Sequence, residues 1–456
     1  MDSLLQAHLQ NIFGDEYSDF INALKQEPVT SIRLNTKKYL NELALTKVLW
    51  TNSGYYLEKR PSFIFDPLMH GGTYYVQEAS SMFLEYLLKQ IKKDFEVNVA
   101  LDLCAAPGGK SIILSDVLDD SLIVCNEVIQ ARVTILKENL IKWGNTNYVI
   151  TNNDAKHFSN LDSFFDLILI DAPCSGEGMF RKDTKAMEEW NPNLVDLCAA
   201  RQKRILGDIY NSLSSDGILI YSTCTYNTKE NTENIEWLCN EFNFEVLNFE
   251  VPIEWGITKS SIKQGSAFSF QPHKTKGEGF FICVLKANKN KGKIQKRKHT
   301  KLFKLRDKDF SKESLPFDWK EDMCLITYRD EICLVNEAHL PSIELLLAHL
   351  NIKHLALGIG SFKHSSFIPS HDLAMQKMLS LKMPKTALDF TNAIRFLKCE
   401  TIKINSNKVG WHLVTFNEIT LGWVKIINAS RINNYYPENY RILKPLPLDL
   451  NYEKII

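Results

Sequence analysis

The sequence has 456 residues and ten cysteines, and no two of those cysteines form a CxxC pair. That absence excludes the common zinc-ribbon ligand sets, and no metal site is expected. Thiols scattered from Cys104 to Cys399 in so long a chain do not suggest a disulfide framework. No apolar run reaches the ~18–20 residues that cross a bilayer, so no membrane association is expected. The opening stretch, MDSLLQAHLQNIFGDEY, lacks the basic region and small-residue cleavage site of a secretory signal. It reads as a short amphipathic helix, and a cytoplasmic monomer is expected. Net charge is missing too, because 54 Lys and Arg balance 54 Asp and Glu. Overall charge therefore argues neither for nor against nucleic acid. There is no internal repeat and no low-complexity tract.

What is present is an alternation of strand-length apolar runs with helix-length segments, beginning near residue 95. The runs are VNVALDLC, SLIVCNEV, NYVITNND, FDLILIDAP, DGILIYSTC and GFFICVLKA. The pattern predicts an α/β fold of βαβ units, with a mostly parallel sheet covered on both faces. Residues 1–92 mix helical and strand patterns, and 93–287 hold the alternating core. Between Lys286 and Lys308 stand eleven Lys or Arg and one acid, Asp307. Residues 288–308 are thus a basic linker, either simply solvated or a polybasic tether lying along phosphates. Residues 309–385 read as mixed α/β without an interpretable motif, and 386–456 as a small domain of short strands with a hairpin turn at Asn417-Glu418.

ALDLCAAPGGKS (Ala100–Ser111) ends the first core run and opens a helix. Glycines there let a ligand approach the backbone, and the helix N-terminus offers free N–H groups. Three ligand readings compete. A P-loop fits at Gly109-Lys110-Ser111 but has Cys104 where its first glycine belongs. A dinucleotide fingerprint needs GxGxxG, which Gly108-Gly109 do not supply. An S-adenosylmethionine loop tolerates looser patterns, and the acids that follow favour it. Glu127 ends the second strand, where it can grip ribose hydroxyls; Asp154 ends the third, where it can accept from an adenine amino group; Asp171 ends the fourth. A strand-end acid is often only a cap, but three in series beside a glycine loop carry more weight.

Two cysteines, Cys174 in LIDAPCSGEG and Cys224 in YSTCTYN, lie just past two core runs. On a doubly wound sheet both face one crevice, and either is a candidate nucleophile. A thiolate and a methyl donor together suit C5 methylation of a pyrimidine. Addition of the thiolate at C6 makes C5 nucleophilic, an acid at N3 absorbs the developing charge, and loss of the C5 proton expels the thiolate. Asp171 is placed for N3, and the spare thiol for assisting elimination. The target base must be single-stranded or flipped out.

LDLCAAPGGK, LIDAPCSGEG and YSTCTYNTKENTENI closely resemble the motifs of the Sun/nucleolar-protein-type RNA cytosine-5 methyltransferases. GEGFFICVLKA resembles that family's closing catalytic strand, and SIRLNTKK (Ser31–Lys38) its N-terminal RNA-contacting element. GWHLVTFNEITLGWVKIINASRINNYYPENYRIL resembles the PUA-like tail of the family's bacterial RsmF branch, which modifies 16S ribosomal RNA. The resemblance implies a Rossmann-like S-adenosyl-L-methionine-dependent catalytic domain between an N-terminal α+β RNA-binding region and a mostly-β PUA-like domain. It implies Cys224 as nucleophile, Cys174 as the residue that helps release product, and Asp171 as a third catalytic group. The donor would be held by Cys104, Ala105, Ala106, Pro107, Gly108, Gly109, Lys110, Glu127, Asp154 and Asp171. Arg132 and Lys182 are further candidates for contacts. In the tail, Trp411, Trp423, Tyr435 and Tyr436 either stack on bases or pack the small core. The expected partner is small-subunit ribosomal RNA rather than DNA. Transfer RNA is an alternative substrate, and an assembly factor with secondary methyltransferase activity an alternative role.

Overall fold

A computed structural model of the chain describes residues 3–289, 302, 304–305, 315–363, 366–404, 408–428, 431–447, 452 and 454–456. Most of the expected basic linker lies outside the described residues. Its described lysines are tied to the protein itself. Lys289 donates to the carbonyls of Leu213 at 2.9 Å and Tyr210, and Lys304 pairs with Glu337 at 3.0 Å. Among the described residues no helix is long and apolar enough to cross a membrane.

The core is a mixed sheet. Five parallel strands stand in the spatial order Tyr148–Thr151, Leu122–Asn126, Val99–Asp102, Phe165–Asp171, Leu213–Thr223. Their apolar residues are buried on both faces, which is why they read as continuous hydrophobic runs rather than alternating ones. Phe280–Ala287 then runs antiparallel to Leu213–Thr223, followed outward by Gly265–Phe270 and Thr258–Ile262. Strand order reverses between Val99–Asp102 and Phe165–Asp171, so the crevice at their carboxyl ends is the natural ligand site.

At the other edge, Ile352–Leu355 pairs antiparallel with Tyr148–Thr151. The segment between linker and tail thus contributes a strand to the catalytic sheet, besides its own sheet of Met323–Tyr328, Glu331–Asn336, Leu357–Lys363 and Ser366–Pro369. The tail forms a third sheet, in which Gly410–Phe416 and Ile419–Asn428 are joined at Asn417 and Glu418. Both turn residues have positive φ, 46° and 65°, the geometry that matches the twist of a two-residue hairpin.

The N-terminal region packs a small sheet, Gly54–Leu57, Thr30–Leu34 and Tyr74–Val76, over the crevice. Here the expectation for SIRLNTKK needs correction. Arg33 is 3 % exposed and its guanidinium bonds Glu85 at 2.6 Å and Asp116 at 3.2 Å. Lys38 turns inward to the carbonyls of Gly71 and Lys142. Only Thr36 and Lys37 of this element are open to solvent, so most of it is structural scaffold.

Candidate active site

The strand Val99–Asp102 ends in a turn whose Gly108 has φ +118°, and the helix Gly109–Val117 starts immediately after it. A β-carbon at Gly109 would come within 3.1 Å of Gln77 and of Tyr75, so the N-terminal sheet lies directly on the loop. One of the three ligand readings is decided here. A P-loop needs its lysine and serine free for phosphate, but Lys110 Nζ is 2.8 Å from Asp171 Oδ2, and Ser111 Oγ donates to Asp102 at 2.6 Å.

Between these layers lies a cavity of about 350 Å³. Cys104, Ala105, Ala106, Pro107, Gly109, Lys110, Asp171 and Cys224 all line it. Sequence reasoning missed the opposite wall, formed by Tyr75, Gln77 and Glu78 on one side and Glu278, Gly279 and Phe280 on the other. Only the family-like GEGFFICVLKA stretch hinted at it. Gly279 has a steric reason, since a β-carbon there would meet the Tyr226 ring at 2.4 Å.

Asp171 is the hub of the cavity's charge. One carboxylate oxygen faces Lys110, and the other accepts from Ser222 Oγ at 2.8 Å. Burial alone would lower the Lys110 pKa, but the Asp171 carboxylate outweighs it and holds the ammonium above its ordinary value. Lys110 also sits 5.1 Å over the Phe280 ring. Beneath the loop Asp102 is fully buried, with one oxygen unpartnered. Burial lifts it to about 7 despite the bond from Ser111.

Cys174 and Cys224 meet here, sulfur to sulfur at 3.2 Å. The hydrogen bond with Cys224, reinforced by burial, pushes Cys174 well above the ordinary thiol value. The pair is therefore arranged as one proton-holding thiol, Cys174, next to Cys224. Two buried carboxylates fix the loops that carry them. Glu177 accepts from the backbone N–H groups of Tyr226 at 2.8 Å and Asn227 at 3.0 Å, from Trp190 at 3.1 Å and from His8 at 2.9 Å. Glu230 accepts from the Ser175 N–H at 3.0 Å and Gln202 at 2.7 Å. Asn227 Nδ2 reaches both acids, at 3.0 and 2.8 Å.

The other predicted residues lie around the loop rather than on the cavity wall. Glu127 is 3 % exposed, accepts from the Ile129 N–H at 2.9 Å and faces Arg132 at 3.3 Å. Arg132 also donates to the Ala106 carbonyl at 2.6 Å, bracing the loop. Asp154 caps a short helix through the Lys156 N–H and pairs with Arg204 at 3.3 Å. Those contacts outweigh burial and lower its pKa. Lys182 lies 3.7 Å from Glu278, a wall residue that Arg181 holds at 2.9 Å. In the tail the aromatics divide. Trp423 and Tyr436 are buried, whereas Tyr435 is exposed and meets Trp411 edge-on at 4.4 Å.

Comparison with known proteins bears on the same stretches. The family described as 16S rRNA methyltransferase RsmB/F matches residues 87–286. The N-terminal domain of 16S rRNA methyltransferase RsmF matches residues 3–79, and the methyltransferase RsmF PUA domain residues 384–442. A ribosomal RNA small subunit methyltransferase F of Pectobacterium carotovorum is 34% identical over 59% of this chain, an alignment that spans 58% of that relative. One of the same name from Vibrio vulnificus is 28% identical over 92% of both chains. Among solved structures, a methyltransferase homolog protein from Pyrococcus horikoshii aligns with a TM-score of 0.52 and 26% identity, over 63% of this chain and 95% of its own. NSun6 from Pyrococcus horikoshii with SFG aligns with a TM-score of 0.54 and 20% identity, over 63% and 99%; at that identity the likeness is one of fold. N-terminal, catalytic and PUA models are thus matched in that order along one polypeptide, and the catalytic stretch is an RsmB/F-type methyltransferase domain.

Proposed function

We propose that the chain transfers a methyl group from S-adenosylmethionine to C5 of a cytosine in 16S ribosomal RNA, through a transient bond between Cys224 and C6 of the base. The observation that carries this reading is the sulfur contact between Cys174 and Cys224, where Cys224 lines one cavity with the Lys110–Asp171 pair. The family's description and the names of its relatives support ribosomal RNA as substrate. NSun6 from Pyrococcus horikoshii, alike in fold, was solved with SFG, an S-adenosylmethionine analogue, which supports the donor.

The residues present suit that donor. The cavity floor is the glycine loop, whose backbone approaches any occupant closely, and Gln77 lines it with a buried Oε1 that has no partner. Cys104 to Lys110 would hold the amino-acid part, Glu127 the ribose, Asp154 the adenine edge, and Asp171 would border the reacting end. When bound, the donor supplies an electrophilic methyl group.

The chain's own groups do the rest. The Cys224 sulfur adds to C6, and the Lys110 ammonium, through the Asp171 carboxylate it pairs with, supplies a proton to N3 as charge builds there. C5 then attacks the methyl group. The N3 proton returns through Asp171 to Lys110, the C5 proton leaves to water, and the C6–S bond breaks. Cys174, which keeps its proton, donates a hydrogen bond to the departing Cys224 thiolate. A base stacked in a duplex cannot present C5 and C6 to Cys224 and the donor together, so the target is unpaired or flipped. The reaction is expected in the cytoplasm, where ribosomal RNA is assembled.

Bisulfite sequencing of total RNA from cells with and without the protein tests the reading. It predicts loss of protection at one or a few 16S cytosines. Loss confined to transfer RNA would overturn the substrate, and no loss at any cytosine would overturn the reaction.

A further inference from the structure

A second cavity, of about 190 Å³, shares no lining residue with the one beside Cys224. Three modules meet around it. Lys38 and Gly71 come from the N-terminal region, Gln376 and Lys377 from the segment after the helix His371–Met375, and Lys385 and Thr420 from the C-terminal sheet. Its charged lining residues are the three lysines, and no aspartate or glutamate lines it. None of the three forms an ion pair with an acid among the described residues.

The lysines are held on stiff supports. Lys38 is 7 % exposed, and its Nζ donates to the carbonyls of Gly71 at 2.9 Å and Lys142 at 2.6 Å. Neutral dipoles, not a counter-ion, keep it in place. The Gln376 side chain accepts from the Leu379 N–H at 2.6 Å and donates to the carbonyls of Leu373 and Leu379. That ring of bonds closes the loop bearing Lys377. Lys385 is in register with Leu413 on a parallel strand. The modules touch through backbone: a β-carbon at Gly71 would lie 2.4 Å from Ile419, and one at Gly144 2.5 Å from the Met375 carbonyl oxygen.

Converging ammonium groups with no acid between them oppose one another. Burial and then Lys377 hold Lys38 well below its ordinary value; burial and then Lys385 lower Lys377. A bound anion reverses that cost, and lysine serves phosphate as a point charge. We propose that this cavity is a phosphate site that grips a backbone phosphodiester of the RNA substrate, away from the target base, through Lys38, Lys377 and Lys385. The proposal rests on the RNA reading above. It makes the junction of three modules a ruler that sets how folded RNA lies relative to the catalytic crevice.

The test is filter binding of a 16S ribosomal RNA transcript by the full chain, as a function of potassium chloride. The double variant Lys377→Glu/Lys385→Glu alters two exposed side chains, so folding is expected to persist. Thermal melting and S-adenosylmethionine binding check that. The variant should bind at least ~10-fold more weakly near 0.15 M salt, with a log–log salt slope shallower by about 1–2. Lys377→Arg/Lys385→Arg should restore both. Unchanged affinity and slope in the glutamate variant would overturn the proposal. Suppose instead that inorganic phosphate stabilises the wild type and not the variant, while RNA affinity is unchanged. The site then takes a free anion, and the RNA assignment is overturned. If the wild type methylates no cytosine but its RNA binding keeps the lysine dependence, the functional reading fails and the phosphate site stands.

Discussion

The sulfurs of Cys174 and Cys224 are 3.2 Å apart, although fifty residues of chain separate them. Each sits just past the carboxyl end of one of two adjacent parallel strands, Phe165–Asp171 and Leu213–Thr223. Two thiols that close cannot both ionise readily, because the second thiolate would face the first. On the proposed reaction this geometry divides labour: one sulfur attacks while the other keeps its proton.

Exchange of either cysteine should separate those roles. Cys224→Ala should lower methyl transfer by about 10³-fold or more and form no covalent complex. Cys174→Ala should still allow attack but stall release, leaving protein bound to RNA through denaturing electrophoresis. A trapped complex with Cys224→Ala and none with Cys174→Ala would reverse the assignment.

Asp171→Asn should reduce the rate of transfer by about 10²–10⁴-fold. It also removes the carboxylate that does most to hold the Lys110 ammonium above its ordinary value, leaving burial opposed only by the lesser influence of Asp102 and Cys224. Lys110 then loses its proton at lower pH than in the wild type. The alkaline limb of the residual rate should accordingly move to lower pH, which a pH–rate profile reads directly.

The positions of the glycine loop, Asp171 and both cysteines were legible because parallel strands deliver their carboxyl ends to one crevice. Once the βαβ alternation is read, sequence position implies spatial position. The Asn417-Glu418 hairpin was legible for a similarly local reason. Arg33 was not: its partner Glu85 stands 52 residues away, and nothing nearby distinguishes a buried guanidinium from one waiting for RNA. The strand Ile352–Leu355 is four residues long and pairs with a partner some two hundred residues earlier. So short an apolar run has no period to read. Glu177 and Glu230 stand in polar stretches with no local sign of burial. Only the fold shows that they collect the N–H groups of both cysteine loops.

His371 offers a test of the module junction. Its two ring nitrogens are buried without a hydrogen-bond partner, and the ring meets Tyr436 edge-on at 5.4 Å. Burial, followed by the charges of Lys142 and Lys38, lowers its pKa from 6.5 to about 3. The unfolded chain binds the extra proton between those values. Stability from the neutral ring is therefore full above pH ~6.5 and falls by about 1.4 kcal/mol per pH unit below it, until pH ~3. His371→Phe should flatten this limb by one proton and leave stability at pH 8 within about 1 kcal/mol. Urea titrations at pH 4.5 and pH 8 measure the difference.

The tail aromatics should divide by burial. Trp423 is fully buried and its Nε1 donates to the Ser370 carbonyl at 2.7 Å. Trp423→Ala is expected to cost about 3–5 kcal/mol. Tyr435→Ala, at an exposed edge, should change stability by less than about 1 kcal/mol. If Tyr435 stacks on RNA, its loss should weaken binding without moving the melting temperature.

Glu177 is the sharpest positioning test, because it bonds the Cys224 loop without touching the donor cavity. Burial raises its pKa, but the bond from His8 and the loop N–H groups outweigh this and keep it below the ordinary carboxylate value. It is thus charged at neutral pH, and the stability it lends is lost only as pH falls through that lowered value. Glu177→Gln replaces an oxygen that accepts only with an amide that must point two hydrogens at donors. It should cost about 3 kcal/mol of stability. Where the fold survives, kcat should fall about 10–100-fold while S-adenosylmethionine affinity stays level, because the sulfur pair loses its register and the glycine loop does not. His8→Ala removes one donor and leaves the two loop N–H groups bound, so its effect on kcat should be several-fold smaller. Equal losses in kcat and donor affinity would instead mean that Glu177 supports the whole crevice and not the cysteine pair.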